Sequence, residues 1–162
     1  MGLIGKIGKF SAIDLKKLQQ QLNKLKDKNV DAFVEECAKE LAARLLATVI
    51  KRTPVGDYSK GTGKKGGTLR RGWTAGKSSS SYGGAQEYAN SLKVNHYGGF
   101  LVIEIMNPIE YASYVEYGHR TRGHKGWVPG RFMLTVSEQE VQTIAPKVLE
   151  QKIKKYLMGC MQ

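Results

Sequence analysis

The chain has 162 residues, a length that fits one domain around one core, and its 41% hydrophobic and 25% charged residues exclude the disordered class. Its apolar stretch at residues 41–50 is interrupted by Arg44 and is far shorter than the ~20 residues of a membrane span. The opening MGLIGKIGKF has neither the apolar core and cleavage site of a secretory signal nor the hydroxyl residue of a myristoylation signal, so no membrane partner is expected. The net charge of +12 is local: residues 1–30 and 53–80 carry +5 each, 118–136 carries +4 without an acid, and 81–117 sums to −3. Such alternation implies local electrostatic contacts rather than one uniform basic surface. Two cysteines, Cys37 in a helical pattern and Cys160 near the end of the sequence, argue against a disulfide framework and suit a reducing compartment.

In chain order, Asp14 is placed to cap a first helix over about residues 15–26, where Leu15, Leu18, Leu22 and Leu25 recur three and four apart. A second, stronger helical stripe runs Val30, Phe33, Val34, Cys37, Leu41, Leu45 and Val49, widened by Ala38, Ala42 and Leu46. Thr53-Pro54 ends it, since the residue before proline is driven out of the helical region. Residues 56–67, GDYSKGTGKKGG, have no apolar period and read as an exposed flexible loop. Residues 68–74 are expected to form a strand bearing Leu69 and Trp73, and residues 76–84 a second polar loop. Leu92, Val94 and His96, then Leu101, Ile103 and Ile105, alternate about a Tyr97-Gly98-Gly99 turn, which predicts a hairpin closed by Asn107-Pro108.

Residues 111–117 predict a short helix ended by Gly118, with Ala112, Val115 and one or more tyrosines turned inward, followed by a basic loop. From Gly130 onward Phe132, Met133, Val136, Val141, Ile144, Val148, Ile153, Tyr156 and Leu157 give a helical pattern, which Pro146 either kinks or divides. Helices, then sheet, then helices predict an α+β fold: a small antiparallel sheet, a hairpin plus an extra strand, packed with long N-terminal and C-terminal helices. Residues 1–162 read as a single domain with an N-terminal helical arm at about 1–28 and the inserted loop at about 56–67.

Little in the sequence points to catalysis. The string from Gly61 to Gly66 has the spacing of a dinucleotide fingerprint, but a helix is expected before it and a strand after it, and no acidic residue stands about 20 positions on. Glu116, His119, His124 and His96 are conceivable metal ligands, yet Arg120, Arg122 and Lys125 beside them oppose a dication. No nucleophile motif or pair of catalytic carboxylates appears, so the expectation is no enzyme, no cofactor and no metal. The basic loops near Tyr58, Trp73, His119 and Trp127 keep open a DNA-contacting or nucleic-acid-binding module. They show no helix with base-reading side chains.

Three pieces of the sequence carry a resemblance. The first is Thr53-Pro54-Val55 after an amphipathic helix, with Gly67-Thr68-Leu69-Arg70-Arg71-Gly72-Trp73 behind it. The second is Asn107-Pro108 followed by Tyr111-Ala112-Ser113-Tyr114-Val115-Glu116-Tyr117-Gly118-His119. The third is Val128-Pro129-Gly130-Arg131-Phe132-Met133-Leu134. Spread over about residues 30–157, they resemble the tail-completion or neck family of long-tailed phages and phage tail-like particles, with its helix-TPV and G-x-LRRSW pattern. This chain departs from it by the glycine-lysine loop that separates Val55 from the LRR segment.

The resemblance implies a structural subunit made in the bacterial host cytoplasm and carried in the virion or tail-like particle. It implies a homo-oligomer, a hexameric ring at the head-proximal end of the tail, acting in tail completion or termination and head–tail joining. The implied partners are the tail tube or terminator and connector proteins, with non-specific contact to DNA in the neck channel. A ring needs two different complementary surfaces. The acidic Glu104, Glu110 and Glu116 and the basic Arg70, Arg71, Arg120, Arg122 and Arg131 are expected to meet across subunits, with Trp73, Tyr114, Tyr117 and Trp127 as core or interface anchors and His119 at the same interface.

Overall fold

The helix α1 (Val30–Arg52) forms where the apolar stripe is longest, and that stripe is buried along its whole length. The structure, a computed structural model, describes residues 3–6, 30–58, 60–63, 65–76 and 82–160. The helix expected over 15–26 lies outside the described residues. Cys37, Ala42, Leu45, Leu46 and Val49 are fully buried, and at roughly 1.5–3 kcal/mol for each large apolar side chain α1 supplies much of the drive to fold. Burial pushes the Cys37 thiol up to about 11, because an anion there would lose its water.

Two helices flank α1. α3 (Tyr82–Ser91) lays Ala85 and Ala89, four residues apart and fully buried, against it, and Lys39 Nζ crosses to Asn90 O at 3.0 Å. The sequence reading placed residues 82–84 in a loop, but the small side chains at i and i+4 let two backbones approach closely and outweigh the glycines. α5 (Met133–Cys160) packs on α1 through Met133, Val141, Ala145, Val148 and Leu149. Phe33 stacks on Tyr156 with centroids 4.2 Å apart, and Arg52–Glu140 at 2.7 Å and Lys152–Glu36 at 2.5 Å tie the surfaces together. α5 runs through Pro146 as one helix. A proline removes one backbone donor, and the contacts of Ala145, Val148 and Leu149 hold that turn on the core.

The hairpin is β2 (Val94–Tyr97) and β3 (Phe100–Asn107), paired Val94↔Ile103 through Tyr97↔Phe100 about Gly98-Gly99. The third strand is β1 (Leu3–Lys6), antiparallel to β3 with Leu3↔Asn107 and Lys6↔Glu104, and the order is β1-β3-β2. The extra strand therefore comes from the segment read as a helical arm and not from 68–74, which is instead the helix α2 (Thr68–Gly72). The misreading has a physical cause: Leu69 and Trp73, four apart, share a face in a strand as well as in a helix. β3 turns Ile103 and Ile105 toward α1 and leaves Phe100, Val102, Glu104 and Met106 outward.

A polar joint locks α1, α2 and the sheet. Thr53 Oγ1 donates to Val49 O at 2.6 Å and accepts from the buried Trp73 Nε1 at 2.8 Å. Thr53 O accepts from Arg70 Nε and Nη2 at 3.2 and 2.8 Å. Asn107 Nδ2 donates to Leu69 O at 2.8 Å. Its side chain passes so close to Gly72 that a Cβ there would overlap Asn107 Oδ1 and Ile109.

A second joint is one carboxylate. α4 (Ala112–Tyr117) buries Ala112, half-buries Val115 and exposes Tyr111, Tyr114 and Tyr117. None of these tyrosines turns inward as expected, and the side chain that does is Glu116, 0% exposed. Its Oε2 accepts from Leu134 N at 2.9 Å, and its Oε1 accepts from Thr135 N at 3.0 Å and Thr135 Oγ1 at 2.8 Å. A negative charge on the second and third backbone donors of α5 does the work of an N-cap from another helix. The basic loop between α4 and α5 carries a two-stranded ribbon, β4 (Gly118–Arg120) and β5 (Trp127–Pro129). Gly118, at φ 87, allows it to fold back, since a Cβ there would strike Val128 O and Gly130 N.

Replacing Glu116→Gln keeps the shape but loses the charge and at least one of these bonds. It should cost about 2 kcal/mol, or about 4–8 °C in Tm; an unchanged midpoint in thermal unfolding would show that the carboxylate does not hold α5. Cys37 should resist iodoacetamide at pH 8 in the folded protein, with its peptide modified only in denaturant. Native-state labelling at the rate of a free thiol would contradict its burial.

Candidate interaction surface

The twelve residues expected at a subunit contact separate into interior and surface groups. Trp73 and Glu116 are wholly inside the protomer and committed to Thr53 and to α5, so neither is available to a neighbour. A buried indole keeps its N–H partner and a buried carboxylate its donors, because leaving either unpaired costs about 1–3 kcal/mol. Arg70 is half-buried and spends both bonds on the end of α1. Arg71 is exposed, with only long bonds to Gly66 O at 3.3 Å and Thr68 Oγ1 at 3.4 Å.

The remaining residues are exposed. Glu104 stands on the outward face of β3 and Glu110 in the turn before α4. Tyr117, His119, Arg120, Arg122, Trp127 and Arg131 gather on α4, the ribbon and its flank. Arg120 and Trp127 are register partners and share a face of the ribbon. Trp127 is 60% exposed, and the Tyr114 ring meets His119 edge-on at 5.9 Å. The ribbon tip from residue 121 to 126 holds Arg122, His124 and Lys125, all exposed.

Further exposed residues complete the surface: Tyr114, which the sequence reading expected as a core or interface anchor, and others that it did not single out for a contact. Tyr111 and Tyr114 join the aromatic patch, and Phe132, read as part of the inward stripe of α5, lies just before the helix and is 45% exposed. Its φ is 47, a left-handed conformation that breaks the helical period and turns it away from the core. Phe100, Val102 and Met106 are also exposed, with Tyr97 beside Phe100. The available signal was the nearly unbroken apolar run FLVIEIMN of β3, a pattern of strands covered on both faces.

Among the described residues the candidate metal ligands are not brought together. Glu116 is inside, His96 Nε2 lies 2.9 Å from Glu35 Oε1 on α1, and His119 and His124 are on the ribbon. Among the described residues no group of three or more ligating side chains is placed to hold a metal ion. The Gly61–Gly66 string lies between two helices, α1 and α2, without the strand that a dinucleotide turn requires. A groove of about 200 Å³ separates the inserted loop from α4, lined by Val55, Tyr58, Lys65, Leu69, Tyr111 and Val115; it suits a protein side chain better than a cofactor. No described helix is long and apolar enough to cross a membrane.

No curated protein and no solved structure matches the chain. A family model does, over residues 16–118. That span includes α1, the Thr53–Trp73–Asn107 joint, the hairpin and α4, and stops at the first residue of the ribbon. With more than half of its length matched, the chain belongs to the HK97-gp10-like family of bacteriophage tail components.

Proposed function

We propose that the protein is a non-enzymatic neck subunit that closes with copies of itself into a ring, of six subunits, at the head-proximal end of the tail. Membership of a phage tail-component family supports a structural role, contact with other tail proteins and a place in the virion. The observation that carries the ring reading is the surface of α4 and the ribbon. Tyr111, Tyr114, Tyr117, Trp127 and Phe132 are exposed there beside Arg120, Arg122 and Arg131. Aromatic residues and arginine are the types enriched at protein–protein hot spots, and an isolated protomer gains nothing by leaving so much aromatic surface in water. The ring would meet the tail tube or terminator on one side and the connector on the other, as the tail is completed and joined to the head.

Sedimentation or native mass measurement of the purified chain, alone and with its tail-tube protein, should show a closed species near six times the 18.0 kDa protomer. Electron microscopy should place it at the tail end. A chain that stays monomeric in both samples sinks the reading.

A second reading follows from the ribbon tip, where Arg122, His124 and Lys125 project in a segment, 118–136, that has no acid but the buried Glu116 before it. That tip suits sequence-independent contact with DNA crossing the neck channel. Arg122→Ala/Lys125→Ala should weaken binding to a random duplex at low ionic strength severalfold; no detectable binding by the native protein under those conditions excludes it.

A further inference from the structure

We infer that the ring contact is made by the shoulder Arg131–Phe132 of one copy docking on the outward face of β3 in the next, with Arg131 meeting Glu104. The inference rests on the ring reading above and assigns its two surfaces.

Phe132 is the first observation. Its φ of 47 is a left-handed conformation that is unfavourable for a non-glycine residue, and a bulky aromatic there is an outlier that calls for a reason. The backbone has no freedom to relax. Phe132 N donates to Glu116 O at 3.0 Å, Arg131 N donates to Val115 O at 2.7 Å, and Phe132 O accepts from Val136 N at 3.0 Å. The same helix start that needs the Glu116 carboxylate therefore imposes the strain. Glycine would satisfy it freely, yet the position carries a phenyl ring that is 45% exposed and absent from the protomer's buried core. The protomer's own hydrogen bonds hold the strain, but the phenyl ring it presents has no place in the protomer's core.

The second observation is β3. Its inward residues Ile103 and Ile105 are buried, while Phe100, at 52% exposed, Val102 and Met106 line the opposite face with Glu104 among them. Tyr97, in register with Phe100, extends the apolar surface across β2. A strand apolar on both faces has the pattern of strands covered on both sides, and an exposed apolar patch marks a surface for contact.

The two surfaces fit one another in kind. An aromatic ring with a cation on the preceding residue faces an apolar strand with one anion in its middle. Neither Arg131 nor Glu104 forms an ion pair among the described residues. They lie on different elements, so the contact joins two different surfaces, and made heterologously, head to tail, it produces a ring by a rotation that closes. A second copy is the occupant for which both halves are present on this chain.

The test is sedimentation velocity of the full chain over a micromolar concentration series. Phe132→Gly and Glu104→Arg should each raise the subunit dissociation constant at least about tenfold, and Glu104→Arg/Arg131→Glu should restore it to within about threefold of the native value. Thermal unfolding at a dilution where all are monomeric should place Phe132→Gly at or above the native Tm, which separates lost contact from lost folding. Native-like assembly by Glu104→Arg, or no restoration in the double reversal, overturns this contact while leaving the ring reading standing. A native chain that never assembles overturns both.

Discussion

Thr53 is the point on which the described structure turns. Its hydroxyl donates back to Val49 O and accepts the buried indole N–H of Trp73, while its carbonyl receives two bonds from Arg70. One residue thus ends α1, seats α2 beneath it and satisfies a polar atom of the largest fully buried side chain. Asn107 continues the same joint into the sheet through Leu69 O and Ile109 N, and Gly72 is there because a side chain would displace it. In a low-dielectric interior such a network favours one arrangement strongly, since any slip leaves several polar groups unpaired at once.

The pieces of sequence that resemble the tail-completion family are, in this structure, mostly joints. Thr53-Pro54 meets the Leu69–Trp73 segment, which in turn meets Asn107, while the Glu116 segment and the Phe132-Met133-Leu134 segment meet at the start of α5. Residues of this kind are constrained by packing and hydrogen bonding in the protomer. That explains how widely separated short motifs describe one fold, and why Arg70, Trp73 and Glu116 serve the subunit itself rather than its neighbours.

Assembly falls to what the joints hold outward. The Glu116 carboxylate seats α5, and the geometry of that seat throws Phe132 into solvent beside the ribbon and its arginines. Stability and presentation are coupled through a single buried charge. The matched family span ends at Gly118, so the ribbon tip, Arg131 and Phe132 lie beyond it, whereas the inserted glycine-lysine loop between α1 and α2 lies within it.

By itself, the sequence determined the elements whose signal is local. The α1 stripe, its end at Thr53-Pro54, the hairpin about Gly98-Gly99, the short helix before Gly118 and the long C-terminal helix follow from period, proline and glycine chemistry acting within a few residues. The aromatic and basic character of the 111–131 region was legible for the same reason. Only the tertiary structure decided the rest. Spacing by four does not distinguish a helix from a strand at 68–74, alanines 85 and 89 declare a helix only beside α1, and the third strand at Leu3–Lys6 exists only by pairing with β3, 98 to 104 residues away. Above all, an acidic residue in an exposed-looking YVEYGH segment gave no hint that Glu116 is buried. Its place depends on the backbone donors of a helix that begins 17 residues later, and no pattern of side chains along the chain encodes where unpaired backbone donors will come to rest.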